Sequence, residues 1–396
     1  LAIGDAISSG KTCVIEHASD IQDFREGDIL VTGKTDPDWV PMMKKASGII
    51  TDHGGRTSHA AIVSGELGVP AIVGTGEATT VLEDGLSVTI SCAEGDEGQI
   101  YEGLLDYSVE DLDLKSLPPV NTSIMMNLAN PSAAFRWWRL PCHGVGLLRM
   151  EFIINNQIQV HPMALAHFDR LNDDEDKKKI ERITRGYEKK TDYFVENLSL
   201  GIAKVAASQY PDPVIVRLSD FKTNEYANLL GGSEFEFKED NPMIGFRGAS
   251  RYIHERYRDG FALECEALKK VREEVGLTNV IIMVPFCRTL EEADKVLEAM
   301  AEHGLKRGEQ GLEVYVMCEV PSNVILADEF AKRFDGFSIG SNDLTQLTLG
   351  IDRDSDILSG SFDERNEAVK RSIQMAIERA HRAGIKICLR GQARSA

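Results

Sequence analysis

The stretch Val280–Cys318, VIIMVPFCRTLEEADKVLEAMAEHGLKRGEQGLEVYVMC, decides the fold. Val280 to Val284 is a short apolar run rich in β-branched residues, as is Val314 to Cys318. Between them Leu290 to Gly304 spaces its apolar residues at helical intervals among charges. A buried-type strand, an amphipathic crossover helix and a second buried-type strand imply a parallel sheet covered by helices. The same rhythm extends outward in both directions. Strand candidates precede it at Ile124 to Asn127, Val145 to Arg149 and Val214 to Leu218, and follow it at Phe334 to Ile339 and Ile385 to Leu389. Asp173 to Ala207 and Arg251 to Glu274 are long amphipathic segments between them. Seven strands are one short of a (β/α)8 barrel, and the chain ends seven residues after the last. The expected fold is therefore α/β: a TIM-type barrel truncated after its seventh strand, or an open sheet.

Residues 1 to about 105 have a different texture, with short apolar runs separated by glycine turns. Thr12 to Ile15, Asp28 to Val31, Gly48 to Thr51, Ala71 to Val73 and Leu86 to Ile90 are expected as strands, and residues near 57–67 as a helix. Leu104 to Asn121 is acidic and contains Pro118-Pro119, which suits a stiff linker. The chain divides on this basis into a small β/α unit over 1–107, a linker over 108–122 and the barrel over 123–396.

Composition narrows the function. Of 396 residues, 44 are Lys or Arg and 63 are Asp or Glu, a formal charge of −19. Without a basic tract this disfavours nucleic acid and anionic membranes as partners. No apolar run approaches the roughly 20 residues of a membrane helix and no signal peptide opens the chain, so a soluble protein is expected. Seven dispersed cysteines without a Cys-x-x-Cys pair suit a reducing, cytoplasmic setting. The first residue is Leu1 rather than methionine, as expected of a piece of something longer.

Three sets of residues bear on chemistry. Gly4 to Thr12 ends in Gly10-Lys11-Thr12 but has five residues between its glycines where a phosphate-binding loop has four, and no strand precedes it. It is expected to be a surface turn. In Thr51-Asp52-His53-Gly54-Gly55-Arg56-Thr57-Ser58-His59-Ala60-Ala61-Ile62-Val63 a strand ends, two glycines permit a tight turn, and Thr57 or Ser58 can cap a helix beginning near His59. An imidazole there sits beside free backbone N–H groups and the positive end of a helix dipole, where a phosphoryl group on the ring would be stabilised. His59 is thus a candidate phosphate-carrying nucleophile, with packing or capping as its other reading. Finally, the barrel strands end in polar groups: Asn127, Arg149, Arg217, Glu319, and Asn342 with Asp343. Catalytic groups of such barrels sit at carboxyl ends of strands. Arginines there can hold carboxylates and phosphates, and the two acids offer hard oxygens for Mg2+. Solvated strand ends or structural ion pairs are the alternative.

GGRTSHAAIVSGELGVPAIVGT resembles the phosphohistidine motif of the PEP-utilising enzymes, the family that holds phosphoenolpyruvate synthase, pyruvate phosphate dikinase and the phosphotransferase-system enzyme I. GVGLLRMEF (144–152), VRLSDFKTNEYANLLGG (216–232), NPMIGFRG (241–248), MCEVPSN (317–323), FSIGSNDLTQ (337–346) and LGIDRDS (349–355) are similar to its barrel motifs. The long second motif separates the synthase branch from the other two. The resemblance implies a swivelling phosphohistidine domain with His59 carrying the phosphoryl group. It implies that Arg149, Arg217 and Arg247 bind PEP or pyruvate and the phosphoryl group, and that Glu319 and Asp343 bind Mg2+. Gly340, Ser341 and Asn342 would contact substrate, and Arg353 would assist the transferred phosphate.

Two positions depart from the family's pattern. Gly65 stands where it usually has arginine. Arg390 occupies the place of the cysteine that exchanges a proton with the substrate's methyl or methylene carbon, and a guanidinium is a poor proton exchanger. Cys388 faces the same side of the strand but about 6.6 Å deeper. The catalytic candidates are thus His59, Arg390 and Cys388. The expected activity is phosphoryl transfer between phosphohistidine and pyruvate, with linker Leu104 to Asn121 as hinge. ATP would act only through an amino-terminal domain absent from this chain, and the family leads us to expect a homo-oligomer. The alternatives are a dikinase or enzyme I type transferase, or a non-catalytic PEP-binding or assembly module.

Overall fold

The computed structural model describes residues 1–4, 6–55, 58–95, 97–108, 120–128, 130–352, 358 and 361–390. The chain divides into two units, Leu1–Asp113 and Leu114–Ala396. The division falls within the stretch read as a linker, of which residues 109–119 lie outside the described residues.

The first unit is built on a seven-stranded sheet. In chain order its strands are β1 (Ala2–Ile3), β2 (Ile7–Val14), β3 (Ile29–Thr32), β4 (Gly48–Thr51), β5 (Ala71–Val73), β6 (Ser87–Ser91) and β7 (Gln99–Glu102). Their order across the sheet is β1-β5-β4-β3-β2-β6-β7. β2 to β5 pair in parallel, and β1, β6 and β7 are added antiparallel. Ile29, Leu30, Val31, Ile49 and Ile50 are fully buried because both faces of the parallel centre are covered. Leu30 and Ile49 join a cluster with Trp39, Met42 and Met43, while Ile29, Val31 and Ile50 pack with Val88 and Ile90.

Gly10-Lys11-Thr12, expected as a surface turn, lies instead inside β2, with Gly10 opposite Val88 and Lys11 opposite Ser87. The glycine serves packing: a Cβ at Gly10 would meet the Gly27 carbonyl oxygen at 2.6 Å.

The second unit contains β8 (Met126–Leu128), β9 (Val145–Arg149), β10 (Val214–Arg217), β11 (Val280–Val284), β12 (Val314–Cys318), β13 (Gly336–Gly340) and β14 (Lys386–Arg390). All pair in parallel and lie in chain order from β8 to β14, as a barrel requires. Helices Lys190–Gln209, Arg258–Lys269, Leu290–Glu302 and Glu367–Ala383 carry the connections. Alternation along each strand separates two cores. Val280, Ile282 and Val284 join the large outer cluster with the helices, whereas Ile281 and Met283 meet Ile215, Tyr315 and Met317 in an inner one. Leu147 of β9 and Cys388 of β14 pack against that same inner cluster, and the Arg390 guanidinium donates to the Gly146 carbonyl of β9. The sheet therefore curls around a shared interior. Among the described residues its edges β8 and β14 are not hydrogen-bonded to each other, as expected of a barrel with seven strands. No described helix is long and apolar enough to cross a membrane.

Candidate active site

His59 opens the helix His59–Leu67, just after β4 and its glycine turn. Ser58 is the N-cap, its Oγ accepting from the Ala61 N–H at 3.4 Å; Thr57 lies outside the described residues. Gly54 has φ +136°, and a Cβ there would meet Ser58 Oγ at 2.7 Å, so the turn can close on the cap only without a side chain. Asp52 fastens the turn from below. It accepts from the Thr75 hydroxyl at 2.9 Å and from the Thr79 hydroxyl and N–H. Burial raises the Asp52 carboxyl, but the Thr79 and Thr75 hydrogen bonds outweigh it and hold the group below its ordinary value. His59 itself is half-buried, with Nδ1 2.9 Å from Thr35 Oγ1. Among the described residues Nε2 has no hydrogen-bond partner. Gly65 is exposed, with open space where a side chain would project.

In the second unit a cavity of about 900 Å³ opens at the carboxyl ends of the strands. That is ample for a small anionic substrate with a hydrated cation. Asn127, Arg149, Arg217, Arg247, Glu319, Gly340, Ser341, Asn342, Asp343 and Arg390 all line it. The structure thus brings together the strand-end residues selected from sequence. Arg353 and residues 391–396 lie outside the described residues. Cys388 does not line the cavity: it pairs in register with Ser338, one inward position below Arg390, and packs on the inner apolar cluster.

Acids and arginines alternate across the cavity wall. Arg247 grips Asp220 with two hydrogen bonds of 2.6 and 2.9 Å and reaches Asp343 at 3.0 Å, its guanidinium lying 4.1 Å from the Phe286 ring centre. Arg217 donates to Glu151, which also accepts from the Asp220 N–H at 2.8 Å. Burial works against both guanidinium charges, but Glu151, Asp220 and Glu319 around Arg217, and Asp220, Asp343 and Glu319 around Arg247, hold both above their ordinary values. They are permanent cations.

Glu319 is the opposite case. It is 1% exposed, and its Oε1 accepts from the Phe286 N–H at 2.7 Å. Burial lifts its carboxyl to about 8, Asp343 and Asp220 adding to the lift while Arg247 and Arg217 oppose it. Its other oxygen passes over Gly340, where a Cβ would stand 2.7 Å away. Glycine at the end of β13 therefore makes room for a carboxylate of β12. The Ser341 hydroxyl lies within donating distance of the Arg390 carbonyl at 2.8 Å and of Glu364 at 3.1 Å, tying the start of its helix to β14.

Thr35, Glu151 and Asp220 were not singled out from sequence. Asp220 stands in RLSD, where an acid one turn past a strand-end arginine is a signal for a neutralising partner. Thr35 carries none, since it meets His59 only through the fold. Among the described residues no three His, Cys, Asp or Glu side chains form a ready metal cage.

Comparison with known proteins places both units in one family. Residues 108–396 match the family described as PEP-utilising enzyme, PEP-binding domain, and residues 24–95 match PEP-utilising enzyme, mobile domain. The chain is 58% identical over its whole length to a phosphoenolpyruvate synthase of Synechocystis sp., covering 48% of that protein. It is 51% identical, again over all of the chain, to the phosphoenolpyruvate synthase of Aquifex aeolicus, covering 51% of it. With that of Escherichia coli the identity is 53% over 99% of the chain and 49% of the relative. The chain spans about half the length of the curated relatives it matches. A histidine presented at a helix start, a cavity of strand-end arginines and acids, and these matches over both units together make the chain a member of the PEP-utilising enzyme family.

Proposed function

We propose that the chain performs phosphoryl transfer between a phosphohistidine at His59 and pyruvate, forming phosphoenolpyruvate. The observation that carries this reading is the convergence of Arg149, Arg217, Arg247, Glu319, Asn342 and Asp343 on one cavity at the strand ends. Thr35 holds Nδ1 of His59 and so leaves Nε2 to bear the phosphoryl group. The free N–H groups at the start of the helix His59–Leu67 offset its charge. Arg149, Arg217 and Arg247 bind the carboxylate of the three-carbon acid and the phosphoryl oxygens as fixed cations. Loss of a methyl proton to water in the open cavity gives the enolate of pyruvate, whose oxygen attacks phosphorus as the bond to Nε2 breaks and its electron pair returns to the imidazole.

Glu319 and Asp343 would hold Mg2+. Their hard oxygens fit it, and a divalent cation would offset both the burial and the repulsion from Asp343 that lift Glu319. Two protein carboxylates suffice, because Mg2+ keeps water and substrate oxygens as further ligands. When bound, it supplies Lewis-acid stabilisation of the enolate oxygen.

Arg390 favours a second reading, in which the barrel binds PEP but cannot exchange the methyl proton. Burial pulls its guanidinium down to about 10, with Arg217 adding to the fall, and the group remains a cation at neutral pH. One experiment separates the two readings. With Mg2+ and PEP labelled in its phosphoryl group, the chain should acquire acid-labile, base-stable label that His59→Ala abolishes. PEP binding without label would support the binding module.

A further inference from the structure

Five arginines line the cavity, Arg149, Arg217, Arg247, Arg365 and Arg390, and the last is differently placed. Arg217 and Arg247 are each matched by carboxylates, as described above. Among the described residues Arg390 is hydrogen-bonded to no carboxylate, and Glu319 favours its charge only from a distance. Arg390 is 8% exposed, its Nη2 donates to the Gly146 carbonyl, and its Nε and Nη1, both buried, have no hydrogen-bond partner. The nearest side chain of its own strand is Cys388, a weak acceptor at best. Burying a cation with unpaired N–H donors is costly unless an anion meets it. Register fixes where that anion would sit. Arg390 pairs with Gly340, the residue whose missing side chain admits Glu319, so its open donors lie at the level of the proposed substrate site and not beneath it. A third unpaired donor, the buried Nε of Arg217, belongs to the same wall.

We infer that Arg390 is a specificity-determining residue that receives a second carboxylate, so that the cavity prefers a 2-oxo dicarboxylic acid to a 2-oxo monocarboxylic acid. This rests on the proposed reading of the cavity as a 2-oxo acid site. Arg149, Arg217 and Arg247 take the carboxylate next to the oxo group, and Arg390 takes an anionic group carried on the far carbon. A monocarboxylic acid such as pyruvate leaves the Arg390 donors unmet. The far carboxylate of a four-carbon diacid accepts a charge-assisted hydrogen bond from one of them.

The test is calorimetric titration of the 396-residue chain, with Mg2+ present, by freshly dissolved oxaloacetate and by 2-oxobutyrate. The two ligands have the same carbon count and differ in one carboxylate. The expected result is at least tenfold tighter binding of the diacid, a preference that Arg390→Met removes while 2-oxobutyrate binding stays within about twofold, and that Arg390→Lys retains in part. Equal affinities for the two acids in the unaltered chain would overturn the inference. So would a Met variant that loses both ligands to the same extent, because Arg390 would then serve the shared carboxylate. The phosphoryl-labelling experiment is separate: a diacid preference without label on His59 sustains this inference and removes the transfer reading, and label without a preference does the reverse.

Discussion

At the scale of single residues the barrel site is a balance of buried charge. Glu319 is accommodated because Gly340 has no side chain, and it is held by one backbone N–H and surrounded by acids as well as arginines. Its folded value of about 8 lies above the ordinary 4.5, so between those values the folded state binds more protons than the unfolded one. Stability must therefore fall as pH rises through that window. Glu319→Gln keeps an acceptor for the Phe286 N–H and removes the titration. The variant should gain melting temperature over the parent at pH 8 and gain less at pH 5, read by thermal unfolding without divalent metal. Added Mg2+ should raise the parent's melting temperature at pH 8 and leave the variant unmoved. An equal offset at both pH values would count against a charged, metal-seeking Glu319.

Elements were legible in proportion to what they bury. Gly48–Thr51, Ala71–Val73, Val145–Arg149, Val280–Val284 and Val314–Cys318 occur with the limits read from sequence, since short, mostly apolar runs bounded by turn residues suit a covered parallel sheet. The edge strands Ala2–Ile3 and Gln99–Glu102 were missed. The first is two residues long and the second largely exposed, so neither leaves an apolar pattern. The helix His59–Leu67 begins where the motif reading put it, at His59, with Ser58 rather than Thr57 as its cap. Ser58→Ala removes the acceptor for the Ala61 N–H and should cost about 1 kcal/mol by urea denaturation. If the helix start presents the His59 ring, phosphoryl label should fall in the same variant; an unchanged label would detach capping from presentation.

On the scale of the whole molecule, each unit encloses its own hydrophobic core, that of Leu1–Asp113 built around Leu30, Ile49 and Ile29 and that of Leu114–Ala396 around its seven strands. Residues 1–113 expressed alone should therefore unfold in one cooperative thermal transition; a broad, non-cooperative melt would show that this core is incomplete without the rest. The sequence by itself determined the alternation of strand and helix, the placing of polar residues at strand ends and the histidine after a double glycine, because periodicity and turn chemistry are local properties of a chain. Only the tertiary structure decided that Thr35 meets His59, that Asp220 joins Arg217 to Arg247, that Gly340 yields its space to Glu319, and that Arg390 reaches the cavity while Cys388 stays below it. Those pairings join residues on different strands and loops, and the curl of the sheet, which no local pattern encodes, sets which of them come within hydrogen-bonding distance.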